Sequence, residues 1–386
     1  MPNLRTMVTE IGTGLGMLGL DSLDDVLAAR PSAMRNLSPE DWDKLRAARA
    51  GGAFEAEFHA AWENGRAFLA ARDGLRGRRP ELIEWKGSVR GSGDEVAPVD
   101  LRIDHVYMVS CKYLSNILFN VSPAHLFDAL LVGGPGRRTE RGGGDWYMEV
   151  APEPYARLYD TVRDAIVGDY PGTSGKPESP RRAATGALAP ALPGLEGPVD
   201  SDHRGTTFKH SETLLRDLPS RVTDLTPAHR KALADRLKSG WPIGAKEAYA
   251  ELADAVARAS SLRWRAALGA GSGAGETMLW RLLRMGNAPY FVLGSTATQS
   301  LRLRIATPWD WRQSFTLVAF EIFPQLAGQP RVGWEARVRD RTTGQQLEVL
   351  GHIEVRWSHG RFGGPPEAKG YTDTRHGLVP GYFPLQ

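Results

Sequence analysis

The stretch from Phe54 to Leu131 restricts the fold more than any other part of the chain, because its apolar period changes twice. Phe54, Phe58, Ala61, Trp62 and Phe68 recur at helical spacing, which predicts a helix over Phe54 to Ala71 with that face buried. Three strand-like runs follow, Leu82 to Val89, Val99 to Ile103 and Tyr107 to Tyr113. Ser122-Pro123 then opens a helix reaching Leu131. A helix, several strands and another helix in this order bury their apolar faces in layers, as a sheet flanked by helices.

Around this stretch, Asp21 to Ala50 has the pattern of short amphipathic helices, with caps at Asp21 and Ser38. After Gly133 an arginine-glycine loop is expected, and residues from Pro171 to about Gly205, rich in Pro, Gly, Ser and Ala, have the composition of a linker. Thr226-Pro227 opens a helical stretch to Ser261, and from Ala288 onward strand-like runs alternate with turns such as Thr343-Gly344. The expected division is a helical segment over 1–50, an α/β core over 51–170, a linker over 171–205, a helical region over 206–287 and a β-rich region over 288–386. The fold class is accordingly α+β or α/β, a mixed-sheet core flanked by helices with a β-rich C-terminal region.

Composition excludes several classes. With 48 basic and 45 acidic residues the formal charge is only +3, so the chain does not announce nucleic acid by net charge. Arginine outnumbers lysine, which suits bidentate contacts to phosphate or guanine and equally reflects GC-rich coding. The single cysteine, Cys111, excludes an internal disulfide and a thiolate zinc site. The N-terminus lacks a basic start, a long apolar run and a small-residue cleavage site, and no apolar stretch approaches the ~20 residues of a membrane span. A cytoplasmic protein without a membrane partner is expected. GTGLGMLG near the N-terminus and GAGSGAGE at 269–276 lack the ending of a P-loop and read as flexible or helix-joining glycines.

The chemistry concentrates in PVDLRIDHVYMVSCKY, residues 98–113. Asp100 opens one strand, Asp104-His105 make a turn, and alternation on the next strand sends Ser110 and Lys112 to one face. A carboxylate opposite a lysine can hold a hard divalent cation while the ammonium assists a metal-bound water. This stretch resembles the PD-(D/E)xK nuclease superfamily, which places an aspartate at the start of its second core strand and an acid-x-lysine triplet on the third. The resemblance covers roughly residues 50 to 132. It implies a restriction-endonuclease-like core, with Asp100 as metal aspartate, Lys112 as catalytic lysine and Mg²⁺ or Mn²⁺ as cofactor. Ser110 stands where the family has Asp or Glu. The missing charge is expected from Glu57 on the preceding helix, the favoured choice, or from Glu84. The remaining option is one metal held by Asp100 and the main-chain carbonyl of Cys111.

Other readings use the same types of residue. Glu84-Trp85-Lys86 is a second acid-x-lysine triplet with Asp73 upstream, and Glu367-Ala368-Lys369 is a third without hairpin context. Asp100 and Lys112 also fit a plain cross-strand ion pair worth at most about 1 kcal/mol, although the apolar flank MVSCKY speaks for a partly buried lysine. Cys111 fits a core thiol, and Asp104 with His105 a solvated turn. Arg356, His359, Arg361 and Lys369, supported by Trp357 and Phe362, are candidate DNA contacts, as are Arg302 and Arg304. The alternative for these is arginines lying over aromatics on a sheet edge. The expected function is a Mg²⁺-dependent DNA endonuclease of restriction or anti-phage defence, acting alone, as a homodimer or with other defence-system subunits. A catalytically inactive nuclease fold that binds DNA or serves as an adaptor is the second reading, and a structural subunit whose arginines contact protein is the third.

Overall fold

The computed structural model describes residues 3–87, 99–113, 117–131, 145–169, 212–269, 273–295, 300–326 and 328–386. The expected linker over 171–205 and the arginine-glycine loop after Gly133 lie outside the described residues. The chain divides into two compact units, one of Met1–Gly144, Val256–Arg356 and Glu367–Gln386, the other of Asp145–Ala255 and Trp357–Pro366. These units are cut differently from the sequential blocks expected from composition.

The first unit opens with four helices, α1 (Leu4–Gly16), α2 (Leu23–Ala29), α3 (Pro39–Ala50) and α4 (Glu55–Ala70). Interspersed with and following them are β1 (Met34–Arg35), β2 (Ile83–Trp85), β3 (Leu101–Ile103), β4 (Tyr107–Tyr113) and β5 (Ile117–Val121). The later strands are β6 (Tyr290–Ser295), β7 (Ser300–Ile305), β8 (Phe315–Leu326), β9 (Pro330–Asp340), β10 (Gln346–Arg356), β11 (Glu367–Thr372) and β12 (Tyr382–Pro384). Seven strands form a mixed sheet in the order β1-β2-β3-β4-β6-β7-β12. In it β3 is antiparallel to β2 and β4, β4 and β6 run parallel, and β7 is antiparallel to β6. The other five form an antiparallel sheet, β5-β11-β10-β9-β8. The expected mixed α and β class holds. The strands after Ala288, however, are shared between the sheets: β6, β7 and β12 complete the sheet of the Asp100 hairpin.

Helix α4 buries Phe58, Ala61, Trp62 and Phe68, as its periodicity requires. Together with α1 to α3 these side chains cover Ile83, Trp85, Leu101, Ile103, Val109, Cys111, Phe291 and Leu293 on one sheet face. α1 and α4 approach through glycine. A Cβ on Gly65 would lie 2.1 Å from the Thr13 carbonyl oxygen, and one on Gly16 would lie 2.3 Å from that of Trp62. The glycine-rich start of the chain is therefore a helix packed by backbone contact. Ser38 makes a capping box with Asp41 at the start of α3. Ser22, one residue after the expected Asp21, caps α2. Ser122 caps the turn Pro123–His125, which continues into a π-helical turn over Leu126–Leu130 instead of a regular α-helix.

In the second unit, the helices Trp146–Val150, Pro152–Gly168 and Pro227–Arg236 surround an aromatic core. Tyr155 stacks on Phe362 at 5.8 Å, and Tyr147 meets Trp357 edge-on at 5.0 Å. Asp145 caps its helix through the Tyr147 N–H (3.2 Å) and accepts the Tyr155 hydroxyl (2.9 Å). Among the described residues no helix is long and apolar enough to cross a membrane.

Candidate functional site

The β3–β4 hairpin fixes the site. Asp104 and His105 both take left-handed backbone angles (φ 49 and 58), the pair a tight hairpin turn requires. The Asp104 carboxylate accepts the peptide N–H groups of Glu81 and Leu82 at 2.9 Å and lies 2.7 Å from Arg78 Nη2. Its role is to tie the turn to the chain before β2.

Asp100 is anchored on both sides. Its N–H donates to the Val109 carbonyl (2.9 Å), and its own carbonyl accepts from Lys86 N–H (3.0 Å). Its Oδ2 then accepts the Cys111 N–H at 2.6 Å and the Ser110 hydroxyl at 3.1 Å. Ser110 is 1% exposed. The residue that departs from the family pattern thus orients the aspartate. Lys112 shares the Ser110 face by strand alternation and pairs in register with Gly294 of β6. A Cβ at Gly294 would come within 1.8 Å of the Lys112 carbonyl oxygen, so only glycine admits β6 this closely.

The helix carboxylate associated with Asp100 is Glu10, on α1. It is buried, and its Oε2 accepts the Trp85 indole N–H at 2.6 Å. Burial, reinforced by the charge of Asp100, pushes its carboxyl up to about 8, while the Trp85 bond and Lys112 oppose the rise. Burial and the nearby Arg284 guanidinium push the Lys112 ammonium down to about 8, against the pull of Asp100 and Glu10. The Cys111 thiol is buried in the core and pushed up first by burial and then by the two carboxylates, which leaves it inert. A cleft of about 120 Å³ lined by Arg5, Thr6, Thr9, Glu10, Cys111 and Tyr113 reaches this carboxylate.

The expected helix ligand is paired with an arginine. Glu57 is buried on α4, with its Oε1 3.1 Å from Arg5 Nε. Glu10 escapes the sequence reading because the N-terminus is weighed there only for a targeting signal, which it lacks, and for a glycine loop. The signal was present: Met7, Val8, Ile11 and Leu15 recur at helical spacing with Glu10 among them.

The second triplet does not assemble. Glu84 Oε2 is 3.4 Å from His105 Nδ1, whereas Asp73 lies 3.7 Å from Arg304 Nε on β7. Strands β2 and β7 are separated by β3, β4 and β6, about 19 Å at the usual strand spacing. Trp85, between Glu84 and Lys86, is the donor to Glu10. In the third triplet, Glu367 and Lys369 lie 3.8 Å apart as a strand pair.

The candidate DNA contacts fall in different places. Arg302 donates to Asn64 Oδ1 at 2.9 Å, and Arg304 lies 4.8 Å over the Phe383 ring. Both are on the first sheet. Arg356, 3.5 Å from Glu354, and Lys369 belong to the second sheet. His359 is exposed, and Arg361 bonds to the Leu237 carbonyl and lies 4.5 Å over Trp241; these two belong to the second unit.

Comparison with protein-family models, curated proteins and solved structures finds no match to this chain. Among the described residues no group of three or more His, Cys, Asp or Glu side chains surrounds a common point. Two carboxylates, Asp100 and Glu10, lie within electrostatic reach of each other and could serve as donors. That suits Mg²⁺, which keeps several waters and takes one or two carboxylates, better than an all-protein cage. The Glu10 carboxyl is raised first by burial and then by the charge of Asp100, and a divalent cation would relieve that second contribution.

Proposed function

We propose that this chain is a divalent-metal-dependent DNA nuclease that hydrolyses phosphodiester bonds at the β3–β4 hairpin. The observation that carries the reading is the Asp100 carboxylate held by the Ser110 hydroxyl and the Cys111 N–H on a mixed sheet, with Lys112 on the Ser110 face and Glu10 on the helix-covered face, both within electrostatic reach of it. The order of helix α4, strand β2, aspartate strand and lysine strand, with the three strands adjacent in one mixed sheet, supports the resemblance to the PD-(D/E)xK nucleases; β5, which joins the other sheet, comes before the helical turn. In this reading Asp100 and Glu10 hold Mg²⁺ or Mn²⁺, and Glu10 takes the place foreseen for Glu57. The bound ion supplies Lewis acidity toward phosphate and a more acidic water. Ser110 and the Cys111 N–H keep the Asp100 carboxylate in one orientation. Lys112 Nζ stabilises negative charge on the attacked phosphate and, with its depressed pKa, exchanges a proton near neutral pH. A role in restriction or other defence against foreign DNA follows from the family resemblance alone.

The deciding experiment is cleavage of plasmid and linear DNA with Mg²⁺ or Mn²⁺. Wild type is compared with Asp100→Ala, Lys112→Ala, Glu10→Gln and Glu57→Gln. The first three are expected to lose at least about 100-fold in rate, and Glu57→Gln to stay within about 10-fold because its partner is Arg5. Loss in Glu57→Gln without loss in Glu10→Gln would reverse the assignment of the helix ligand. The serine at position 110 supports a second reading, an inactive nuclease fold that binds DNA. It predicts no cutting with any metal, together with salt-sensitive DNA binding unaffected by Asp100→Ala.

A further inference from the structure

Beside Lys112 lies a positive charge that no carboxylate answers. Arg284 follows the helix Ala274–Leu282 in the left-handed region (φ 58) and is 2% exposed. Its Nη1 donates to the Tyr290 hydroxyl at 3.2 Å, while its Nε is buried without a hydrogen-bond partner. Tyr290 shares a hydrogen bond with Ser110, which donates to Asp100. The guanidinium is thus tied through two hydroxyls to the candidate metal carboxylate. Among the described residues neither Arg284 nor Lys112 has a carboxylate within ion-pair distance, and Tyr290, in register with Met108, places Arg284 on the sheet face that carries Ser110 and Lys112, where its charge helps depress the Lys112 ammonium. His376, whose imidazole is held down by burial and then by Arg284, borders the same group. A guanidinium cannot shed its proton, and a buried unpaired charge is costly. A bound anion would offset that cost, and an arginine fork on the same sheet face as a lysine suits the oxygens of a phosphate.

We infer that Arg284 and Lys112 form a receptor for a phosphate group, positioned by Tyr290 against Asp100. That the phosphate belongs to the DNA backbone rests on the nuclease reading; that the site takes phosphate does not. The source is tested with two ligands, inorganic phosphate and a short 5′-phosphorylated oligodeoxynucleotide beside its unphosphorylated form.

The measurement is the ¹H–¹⁵N Nε resonance of Arg284 in the full chain labelled at arginine, assigned by its loss in Arg284→Lys. At constant ionic strength and without metal, phosphate is expected to shift this resonance saturably. It should also raise Tm by about 3–5 °C at a hundredfold excess over Kd. The rise should vanish in Arg284→Lys and Lys112→Met and persist in Arg337→Gln, whose side chain pairs with Glu321. An unmoved resonance, or equal stabilisation of Arg284→Lys, overturns the receptor. Should Arg284→Lys fail to fold, the phosphate-induced rise in Tm still decides: it should be present in wild type and Tyr290→Phe and absent in Lys112→Met, and its absence in wild type overturns the receptor. Phosphate binding without DNA cutting leaves the receptor standing and removes the nuclease. Asp100-dependent cutting with a silent resonance and an undiminished rate in Arg284→Lys does the opposite. A shift by inorganic phosphate but not by the phosphorylated oligonucleotide assigns the site to free phosphate and overturns its place on the DNA path.

Discussion

Between pH 4.5 and about 8 the folded chain holds a proton on Glu10 that the unfolded chain releases, because burial and Asp100 raise this carboxyl from 4.5 to about 8. The folded state binds the extra proton, so this contribution to stability is complete below pH 4.5 and is lost as pH rises through 8. In chelator, the stability of Glu10→Gln relative to wild type should therefore increase from pH 5 to pH 8.5, by roughly 2–5 kcal/mol. Thermal unfolding at a series of pH values checks this; a flat difference would mean that Glu10 ionises freely. Lys112 works in the next window. Its ammonium falls from 10.5 to about 8 on folding, so the unfolded chain binds more protons between those values and wild type gains stability there. The advantage of Lys112→Met at neutral pH should shrink between pH 8 and 10.5. The proposed metal site adds a third observable: if Asp100 and Glu10 hold Mg²⁺, its binding at pH 7 should expel about one proton in wild type and none in Glu10→Gln. The dependence of binding heat on buffer ionisation enthalpy reads it. Asp100 and Lys112 were legible in the sequence because strand alternation is local. Glu10 was not, since its meeting with Asp100 depends on how a helix 90 residues upstream packs on the sheet.

Helix α1 reaches the sheet because glycines let it touch α4 backbone to backbone. Gly65→Ala places a Cβ 2.1 Å from the Thr13 carbonyl oxygen, and neither backbone can yield without shifting the helices. A loss of about 1–3 kcal/mol is expected. Because Thr13 lies one helical turn beyond Glu10, the proposed nuclease activity should fall with it. Gly168→Ala, at the end of Pro152–Gly168 with open space at its Cβ, should be neutral or slightly stabilising. Equal effects at both positions, read by urea unfolding, would remove the backbone-contact account. Element type was well marked where the pattern was strong: β4 spans the Tyr107–Tyr113 expected from its apolar run, and α4 differs from expectation by a residue at each end. The turn Leu126–Leu130 widened into π geometry, which no spacing announced.

At the scale of the molecule, strand partners are what a linear pattern cannot give. A run such as PYFVLG declares a buried strand, but nothing in it names β4 as its neighbour, and β5 finds β11 across more than 240 residues of sequence. The expected boundary before residue 288 would therefore cut through the sheet that carries the candidate site. A chain ending at residue 287 loses β6, β7 and β12, which exposes the long edge of β4 and uncovers Val109, Cys111 and the side chains packed with Phe291 and Leu293. An unpaired edge and an open apolar face of this kind lead to aggregation. The truncated chain should be insoluble or molten, with no cooperative thermal transition. Co-expression with residues 288–386 should restore a soluble complex in which Lys112 and Gly294 again adjoin. If the 1–287 fragment instead folds cooperatively alone and binds Mg²⁺ with proton release from Glu10, the pairing of β4 with β6 is dispensable. The site would then belong to the N-terminal part, as composition first suggested.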